Sequence, residues 1–352
     1  MSGTPLRSAL GSVARGARLT REETRSAFIS MLEGSEPASL AAALLSVLAS
    51  RGESHEEVAG VVDVLRQNAL RPPVEEELAA RAVDVCGTGG DGLGTFNVST
   101  TTAFVVAGAG VPVAKHGGRA VSSQCGSADV MAALGVHIEM EPEHAAEALR
   151  RSGVTFLFAP VYHGTMKSVA GLRRELGIRT IFNLAGPLSN PVGVKRQIVG
   201  VDRPERVEVI AQALVLLGTA HAFVFSNEAA GDELLPIGLT RMAEVKDGQV
   251  RTFQVSASDF GLSPGEPEHL GGGDAECNAL LLRRVLDGEP GTARETVLMN
   301  AAAALVVAGL VGDFRDGVSV AARSIDEGAA RAALVALAAI SRSGPFEAGR
   351  SR

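Results

Sequence analysis

Cysteine and long apolar segments are both scarce in this chain of 352 residues. The three cysteines, Cys86, Cys125 and Cys277, do not form an even set and show no zinc-site spacing. This argues against a disulfide framework and favours a reducing compartment. The longest apolar run, 301–310, is too short to cross a bilayer, and residues 1–18 lack the continuous apolar core of a secretory signal. We therefore expect a cytoplasmic protein that does not bind membranes.

An excess of positive charge is also missing. The formal net charge is −7 at pH 7, whereas a nucleic-acid binder needs a basic surface to neutralise phosphates. We therefore expect no nucleic-acid partner. No repeat or low-complexity tract interrupts the chain, and its length suggests two domains.

Glycine, in contrast, is abundant, with 41 residues, and several of them stand directly after an apolar segment. Residues 86–100 have the sequence CGTGGDGLGTFNVST and follow the strand-like segment 82–85. Glycines permit positive φ and a close approach of the backbone to an anion, and the first N–H groups of a helix near Ser99 would point at that anion. An ordinary glycine-rich turn is the alternative. The segments that follow favour a phosphate site.

A second loop of this kind follows the apolar run 111–114. Its sequence from 115 to 123 is KHGGRAVSS, and a new helix is predicted to begin at 127–129. Lys115 and Arg119 can supply charge and a forked donor pair, while the serines supply hydroxyl groups. Open α/β sheets bind ligands beyond the carboxyl ends of their strands. We therefore interpret this segment as a second anion-binding loop rather than as solvated surface.

Two adjacent carboxylates, Asp232 and Glu233, follow the strand-like run 221–225. Mg²⁺ prefers oxygen ligands and commonly joins a protein to substrate phosphates through one or two carboxylates. A solvated acidic turn is the alternative. Beside two phosphate loops, the pair favours a magnesium site.

Together these segments resemble the anthranilate phosphoribosyltransferase family, from about residue 19 to the last helices. In the family's order, the chain has GTGGD and NxST within 87–100, KHGxR at 115–119, FLFAP at 156–160 before His163, RTIFN and GPL within 179–188, and the Asp232–Glu233 pair. The resemblance implies a reaction in which the amine of an aromatic acid displaces pyrophosphate from C1 of phosphoribosyl pyrophosphate, with inversion.

The resemblance also implies which residues bind the donor. Its contacts with phosphoribosyl pyrophosphate carry over to Gly87, Gly90, Asp91, Thr95, Asn97, Ser99, Thr100, Lys115, Ser122, Ser123 and Ser127. Mg²⁺ is the implied cofactor, and its ligands carry over to Ser99, Asp232 and Glu233. No catalytic residue is assigned; His116 is a candidate to orient the acceptor or to assist proton movement.

The acceptor side departs from the family pattern. The resemblance implies acceptor contacts at Gly87, His116, Gly118, His163 and Arg173. Gly118 stands where the family has an asparagine whose amide contacts anthranilate, and further departures are Gln124, Cys125, Gly164 and Thr165. One neutral hydrogen bond contributes about 0.5–1.5 kcal/mol, so its loss need not abolish anthranilate use. A different aromatic or heteroaromatic acid or amine is the alternative acceptor.

Periodicity predicts a small helical domain over 1–76 and a large α/β domain with a mostly parallel central sheet over 77–352. Capping boxes open helices after Thr20 and Ser54. A first strand is expected from about Val83. Later strands are expected at 111–114, 155–158, 198–201 and 222–225, with a hairpin turn at 247–248. Helices are expected at 277–287, 294–308 and 329–340. The resemblance implies that roughly 173–193 packs with the N-terminal helices and that the protein is a homodimer.

Two other functional classes are compatible with parts of the pattern. A nucleoside phosphorylase of the same fold would bind inorganic phosphate and a nucleoside, but the acidic pair and the intact NxST segment favour a magnesium-bound pyrophosphate donor. A non-catalytic relative that binds nucleic acid is disfavoured by the net acidity and the complete donor site.

Overall fold

The structure is a computed structural model that describes residues 4–90, 94–120, 124–228, 231–266 and 270–343. It has the expected fold class, a small N-terminal helical part and a large α/β part with a mostly parallel sheet. Within the described ranges, no helix is both long and apolar enough to span a membrane.

The N-terminal part consists of α1 (Pro5–Ala14), α2 (Arg21–Glu33), α3 (Ala38–Arg51) and α4 (His55–Gln67), and α5 (Glu76–Arg81) leads into the sheet. Both predicted capping boxes are present, with Thr20 and Glu23 opening α2 and Ser54 and Glu57 opening α4. The sequence did not predict α1 or α5. Helix α1 packs on α2 and α3, and α2 packs on α4.

Among the described residues after α5, one seven-stranded sheet has the strand order β3-β2-β1-β4-β5-β6-β7. Its strands are β1 (Val83–Gly87), β2 (Val113–Gly117), β3 (Val154–Phe158), β4 (Arg196–Gly200), β5 (His221–Asn227), β6 (Thr240–Lys246) and β7 (Gln249–Val255). The first five are parallel, and β6 and β7 pair antiparallel around the predicted turn at Asp247. The chain runs from β1 to β3 on one side and continues at β4 on the other, so the crevice beyond the ends of β1 and β4 is a topological switch point.

The remaining helices cover both faces of the sheet. They are α6 (Val98–Gly108), α7 (Ser127–Ala133), α8 (Pro142–Ser152), α9 (Ala159–Tyr162), α10 (Lys167–Leu176), α11 (Ile181–Ala185), α12 (Glu205–Leu216), α13 (Ala275–Leu286), α14 (Thr292–Ala308), α15 (Phe314–Asp326) and α16 (Ala329–Arg342). The three predicted C-terminal helices correspond to α13, α14 and α16. Helix α15 was not predicted.

Two apolar cores lie on opposite faces of the sheet. One contains α6, α14 and α16. The other continues from the N-terminal helices through α11 and α12 to the sheet, and includes Phe28, Leu44, Ile181 and Val199. Helices α10 and α11 contact α2, α3 and α4, which brings the segment 167–190 over the carboxyl end of the sheet.

Candidate active site

A cleft of about 340 Å³ lies where the helical part meets the carboxyl ends of the strands. It brings together the three segments singled out in the sequence and the α10–α11 segment. The predicted residues that line it are Gly87, Gly90, Asn97, Ser99, Lys115, His116, Gly118, Ser127, Arg173, Asp232 and Glu233. Asp91, Ser122 and Ser123 fall outside the described residues. Thr95, Thr100 and His163 are near the cleft but do not line it.

The glycine-rich loop turns sharply after β1. Gly89 and Gly90 have φ of 62° and 78°, the left-handed region that favours glycine. The Gly89 N–H donates to Asp232 Oδ2 at 2.6 Å. A side chain at Gly87 would also press on this carboxylate, because an added Cβ would lie 2.5 Å from Asp232 Oδ2. The loop and the acidic pair are therefore packed against each other at the base of the cleft.

Lys115 lies on β2 and is 2% exposed. Its Nζ donates to the Val85 carbonyl at 2.6 Å and to the Ser99 hydroxyl at 3.1 Å. Burial lowers the pKa of the ammonium, while the negative charges of Asp84 and other buried groups raise it. An ammonium has three N–H donors, so one is left for a ligand in the cleft.

Asp84 is a fully buried carboxylate on β1, and sequence reasoning missed it. One oxygen accepts from the His116 backbone N–H at 3.2 Å and the other from Asn190 Nδ2 at 2.8 Å. Burial raises the pKa of Asp84 to about 6, although the charge of Lys115 and these hydrogen bonds oppose the rise. The carboxylate therefore ties β1 to β2 and to the loop after α11.

The start of α6 is organised by side-chain amides. Asn278 Nδ2 donates to Asn97 Oδ1 at 2.9 Å, and Asn97 Nδ2 donates to the Cys125 carbonyl at 3.4 Å. Ser127 Oγ donates to the Gly118 carbonyl at 3.3 Å. Thr100 is wholly buried in α6 and does not line the cleft. Thr95 instead pairs with Gly271 through an isolated backbone bridge.

Asp232 and Glu233 are each only 9% exposed and lie at the end of the cleft that holds the glycine-rich loop. The described residues contain no group of three or more His, Cys, Asp or Glu that could hold a metal ion. Two adjacent carboxylates do suit Mg²⁺, which typically completes its shell with water and substrate phosphates. The donor set therefore fits a magnesium ion that binds together with a phosphorylated substrate.

The two predicted histidines form a buried pair whose ring centroids are 5.1 Å apart. Burial lowers the pKa of His116 to about 3 and that of His163 to about 4, although nearby backbone carbonyls oppose both shifts. Both rings are therefore neutral at pH 7. Among the described residues, His116 Nε2 has no hydrogen-bond partner. A neutral ring with a free nitrogen can exchange one hydrogen bond with an acceptor amine.

Arg173 provides a cation on the opposite side of the cleft. Its guanidinium lies 5.3 Å from the centroid of the Phe182 ring, and burial lowers its pKa. No described carboxylate forms an ion pair with it. A planar fork of donors beside an aromatic face is suited to an aromatic carboxylate.

Gly118 leaves room in the same cleft. An added Cβ would meet nothing within 4 Å, and the same is true of Gly164. Two of the positions at which the sequence departs from the family pattern, Gly118 and Gly164, are thus open in space rather than filled by a substitute group.

Sequence reasoning also left Arg179 without a role. The structure places this side chain at the cleft, where it hydrogen-bonds the glycine-rich loop. In the sequence it is the first residue of the RTIFN segment, directly before the Thr180 cap of α11, and neither feature indicates a contact with residues 88–90.

Comparison with known proteins defines the class first. The a/b domain model of the glycosyl transferase family matches residues 79–331, and the helical bundle domain model of that family matches residues 7–69. The chain belongs to this family and is a glycosyltransferase-type enzyme.

Individual relatives narrow the assignment. The chain is 49% identical, over 96% of its length and 99% of the relative's, to an anthranilate phosphoribosyltransferase of Bradyrhizobium sp. (strain ORS 278). The crystal structure of the Thermus thermophilus enzyme of that name superposes with a TM-score of 0.89 at 38% identity, covering 97% of this chain and 100% of that one. The structure of the Saccharomyces cerevisiae enzyme in complex with PRPP and Mg superposes with a TM-score of 0.85 at 28% identity, covering 97% of this chain and 98% of that one. The chain is thus a member of the anthranilate phosphoribosyltransferase family.

Proposed function

We propose that this enzyme transfers a phosphoribosyl group from phosphoribosyl pyrophosphate to the amine of anthranilate, depends on Mg²⁺ and releases pyrophosphate. The observation that carries the proposal is one cleft whose two ends are suited to different ligands, one end to an anion and the other to an aromatic acid. Lys115 and the glycine-rich loop lie beside Asp232 and Glu233, while His116, Arg173 and Phe182 bound the other side.

The donor end is suited to polyphosphate. Its contacts are proposed for Gly87, Gly90, Asn97, Ser99, Lys115 and Ser127 in the cleft and for Asp91, Ser122 and Ser123 beyond the described ranges; Thr95 and Thr100 would act through the fold of the loop and of α6. Ser99, Asp232 and Glu233 would hold Mg²⁺. When bound, the ion supplies charge stabilisation for the leaving pyrophosphate.

The acceptor end would orient rather than activate. Arg173 would bind the carboxylate of the aromatic acid, and the neutral His116 ring would meet its amine. His163 would hold the His116 ring in position by packing against it. Since the amine attacks a carbon that develops positive charge as pyrophosphate leaves, correct placement of the two substrates contributes a large part of the rate.

Gly118 favours a second candidate acceptor. The open space beside it would accommodate a different aromatic or heteroaromatic acid. We prefer anthranilate because one lost hydrogen bond weakens binding by only about threefold to tenfold.

We also propose the wider setting of the reaction. The domains would be 1–76 and 77–352, with 173–193 completing the helical one, which the contacts of α10 and α11 with α2–α4 support. The protein would be a cytoplasmic homodimer serving tryptophan biosynthesis, as the family resemblance implies.

A pyrophosphate-release assay tests the proposal. The enzyme, Mg²⁺ and phosphoribosyl pyrophosphate are combined with anthranilate or with other aminobenzoates, hydroxybenzoates and heteroaromatic acids. Preference for anthranilate supports anthranilate as the acceptor, and preference for another acid supports the alternative aromatic or heteroaromatic acceptor. Gly118→Asn should lower KM for anthranilate about threefold to tenfold, the effect of one hydrogen bond, with Gly118→Ala as the control. No release with any acid contradicts the proposed function.

A further inference from the structure

Arg179 crosses from the segment before α11 to the glycine-rich loop. Its Nη2 donates to the Thr88 carbonyl at 3.2 Å, and its Nη1 donates to the Gly89 carbonyl. The guanidinium also lies directly against Gly90, because a Cβ added there would overlap it and would have to displace the Arg179 side chain. This arginine, which lies outside the loop in sequence, therefore donates hydrogen bonds to two consecutive loop carbonyls.

The two hydrogen bonds on the Thr88–Gly89 peptide have a shared consequence. The Thr88 carbonyl and the Gly89 N–H belong to one planar trans unit, so they point in opposite directions. Arg179 holds the carbonyl end and Asp232 Oδ2 holds the N–H end at 2.6 Å. The plane of this peptide is thus fixed from both sides, between a cation and a carboxylate proposed to bind Mg²⁺.

The guanidinium is itself anchored. Asp202 Oδ1 lies 3.8 Å from Arg179 Nη2, and the Asp202 carboxylate is only 4% exposed. The Asp202 N–H donates to Thr88 Oγ1 at 3.2 Å. Arg206 pairs with Asp202 at 2.7 Å and with Glu53, between α3 and α4, at 3.8 Å. A chain of ion pairs therefore extends from the N-terminal helices to the loop.

We propose that Arg179 is a positioning residue of the donor site, which sets the orientation of the glycine-rich loop for the pyrophosphate group. It turns the Thr88 and Gly89 carbonyl dipoles toward its own charge, where they do not face the anion. Without it, a released carbonyl would face the phosphates or leave Asp232 without its loop donor. The inference rests on the proposed function, specifically on the binding of phosphoribosyl pyrophosphate in the cleft.

Equilibrium binding tests this role without any acceptor. Binding of phosphoribosyl pyrophosphate with Mg²⁺ is measured by calorimetry for the full-length protein and for Arg179→Gln. We expect Kd to rise tenfold or more. The matched control is Arg203→Gln, because Arg203 pairs with the same Asp202 at 3.3 Å but has a side chain that is 58% exposed and directed at Asp202 rather than at the loop; its Kd should stay within twofold.

Two further variants separate positioning from general damage. Arg179→Lys keeps the charge but not the fork, so its Kd should lie between the wild-type and glutamine values. Asp202→Asn should give a smaller increase in Kd. If circular dichroism shows that Arg179→Gln does not fold, Asp202→Asn replaces it as the test variant. In turnover, KM for the donor should rise more than KM for the acceptor.

Each outcome has a distinct meaning. If wild type does not bind the donor, the proposed function fails. If wild type binds it and Arg179→Gln matches Arg203→Gln, only the role of Arg179 fails. Equal increases in KM for both substrates would also overturn it, since a merely structural defect would produce them.

Discussion

The side-chain amide of Asn190 donates to the Asp84 carboxylate at 2.8 Å, and both residues are buried. The same Nδ2 donates to the Ala114 carbonyl at 2.7 Å. One amide therefore joins the loop after α11 to two adjacent strands of the sheet, directly beneath the cleft.

Removal of this amide should cost stability. Asn190→Ala leaves a buried carboxylate oxygen and a buried carbonyl without this donor, and an unsatisfied buried group costs about 1–3 kcal/mol. We expect the free energy of unfolding to fall by at least that amount in urea denaturation at pH 7. Asn68→Ala is the control, because Asn68 Nδ2 also bonds a carbonyl, that of Val64 at 2.8 Å, but at an exposed helix end. Equal losses in the two variants would contradict the prediction.

Stability should also fall in mild acid because of the buried histidines. Their pKa values, about 3 for His116 and about 4 for His163, lie below the ordinary 6.5. A depressed histidine pKa stabilises the fold above pH 6.5, and that stability is lost as the pH falls toward the folded value. Between pH 7 and pH 5 the loss is about 2 kcal/mol per ring.

The variant His163→Gln isolates one ring. Asp84 acts in the opposite direction, since its pKa is raised to about 6 and its protonation favours the folded state as the pH falls. The effect of Asp84 cancels when the two proteins are compared. Wild type should lose about 2 kcal/mol more than His163→Gln between pH 7 and pH 5; parallel losses would show that the ring is not buried in neutral form.

Arg173 should act on one substrate only. Arg173→Gln removes the fork proposed for the acceptor carboxylate, so KM for anthranilate should rise about tenfold or more while KM for the donor changes less than about twofold. Arg174→Gln, on the next residue of α10 and exposed, is the control in steady-state kinetics. A similar rise in both KM values would remove Arg173 from the acceptor site.

The acidic pair should set the magnesium requirement. Asp232→Asn and Glu233→Gln should each raise the Mg²⁺ concentration that gives half-maximal rate by about tenfold or more, because each removes a proposed oxygen ligand. The folded structure should persist in circular dichroism. The control is Glu228→Gln, which changes an exposed acidic residue after β5. The rate of this variant should depend on the Mg²⁺ concentration in the same way as that of wild type. Unchanged activity of the pair variants at limiting Mg²⁺ would overturn the metal assignment.

The sequence predicted the parallel strands well because each is a short apolar run that ends at a glycine or polar loop. It predicted α14 but not α15, where Gly312 and Gly317 interrupt the helical pattern. In the structure Gly317 lies inside α15, where an added Cβ would be 2.8 Å from the Ala302 Cα of α14. This glycine permits close helix packing, and nothing local in the sequence distinguishes that role from a turn.

The position of a residue at the cleft was predictable where one loop carries its own polar or charged groups, as at Lys115 or Asp232. It was not predictable where a residue of the site is held by a partner far along the chain. Asp84 is one polar residue in an apolar strand, and its partner Asn190 is 106 residues away. Arg179 is 90 residues from the loop it contacts. Such pairs arise from the strand order and from the return of the chain over the sheet.

The apolar core that joins Phe28 and Leu44 to Val199 and Val224 is continuous. A chain cut before β1 would therefore lack the helices that pack on α11 and α12, and water would meet residues that are now dry. The small helical part and the large α/β part match separate family models, yet each supplies part of the other's interior. Insertion or exchange of the N-terminal helices between relatives would have to preserve the shape of this shared surface, as well as the length of the connection.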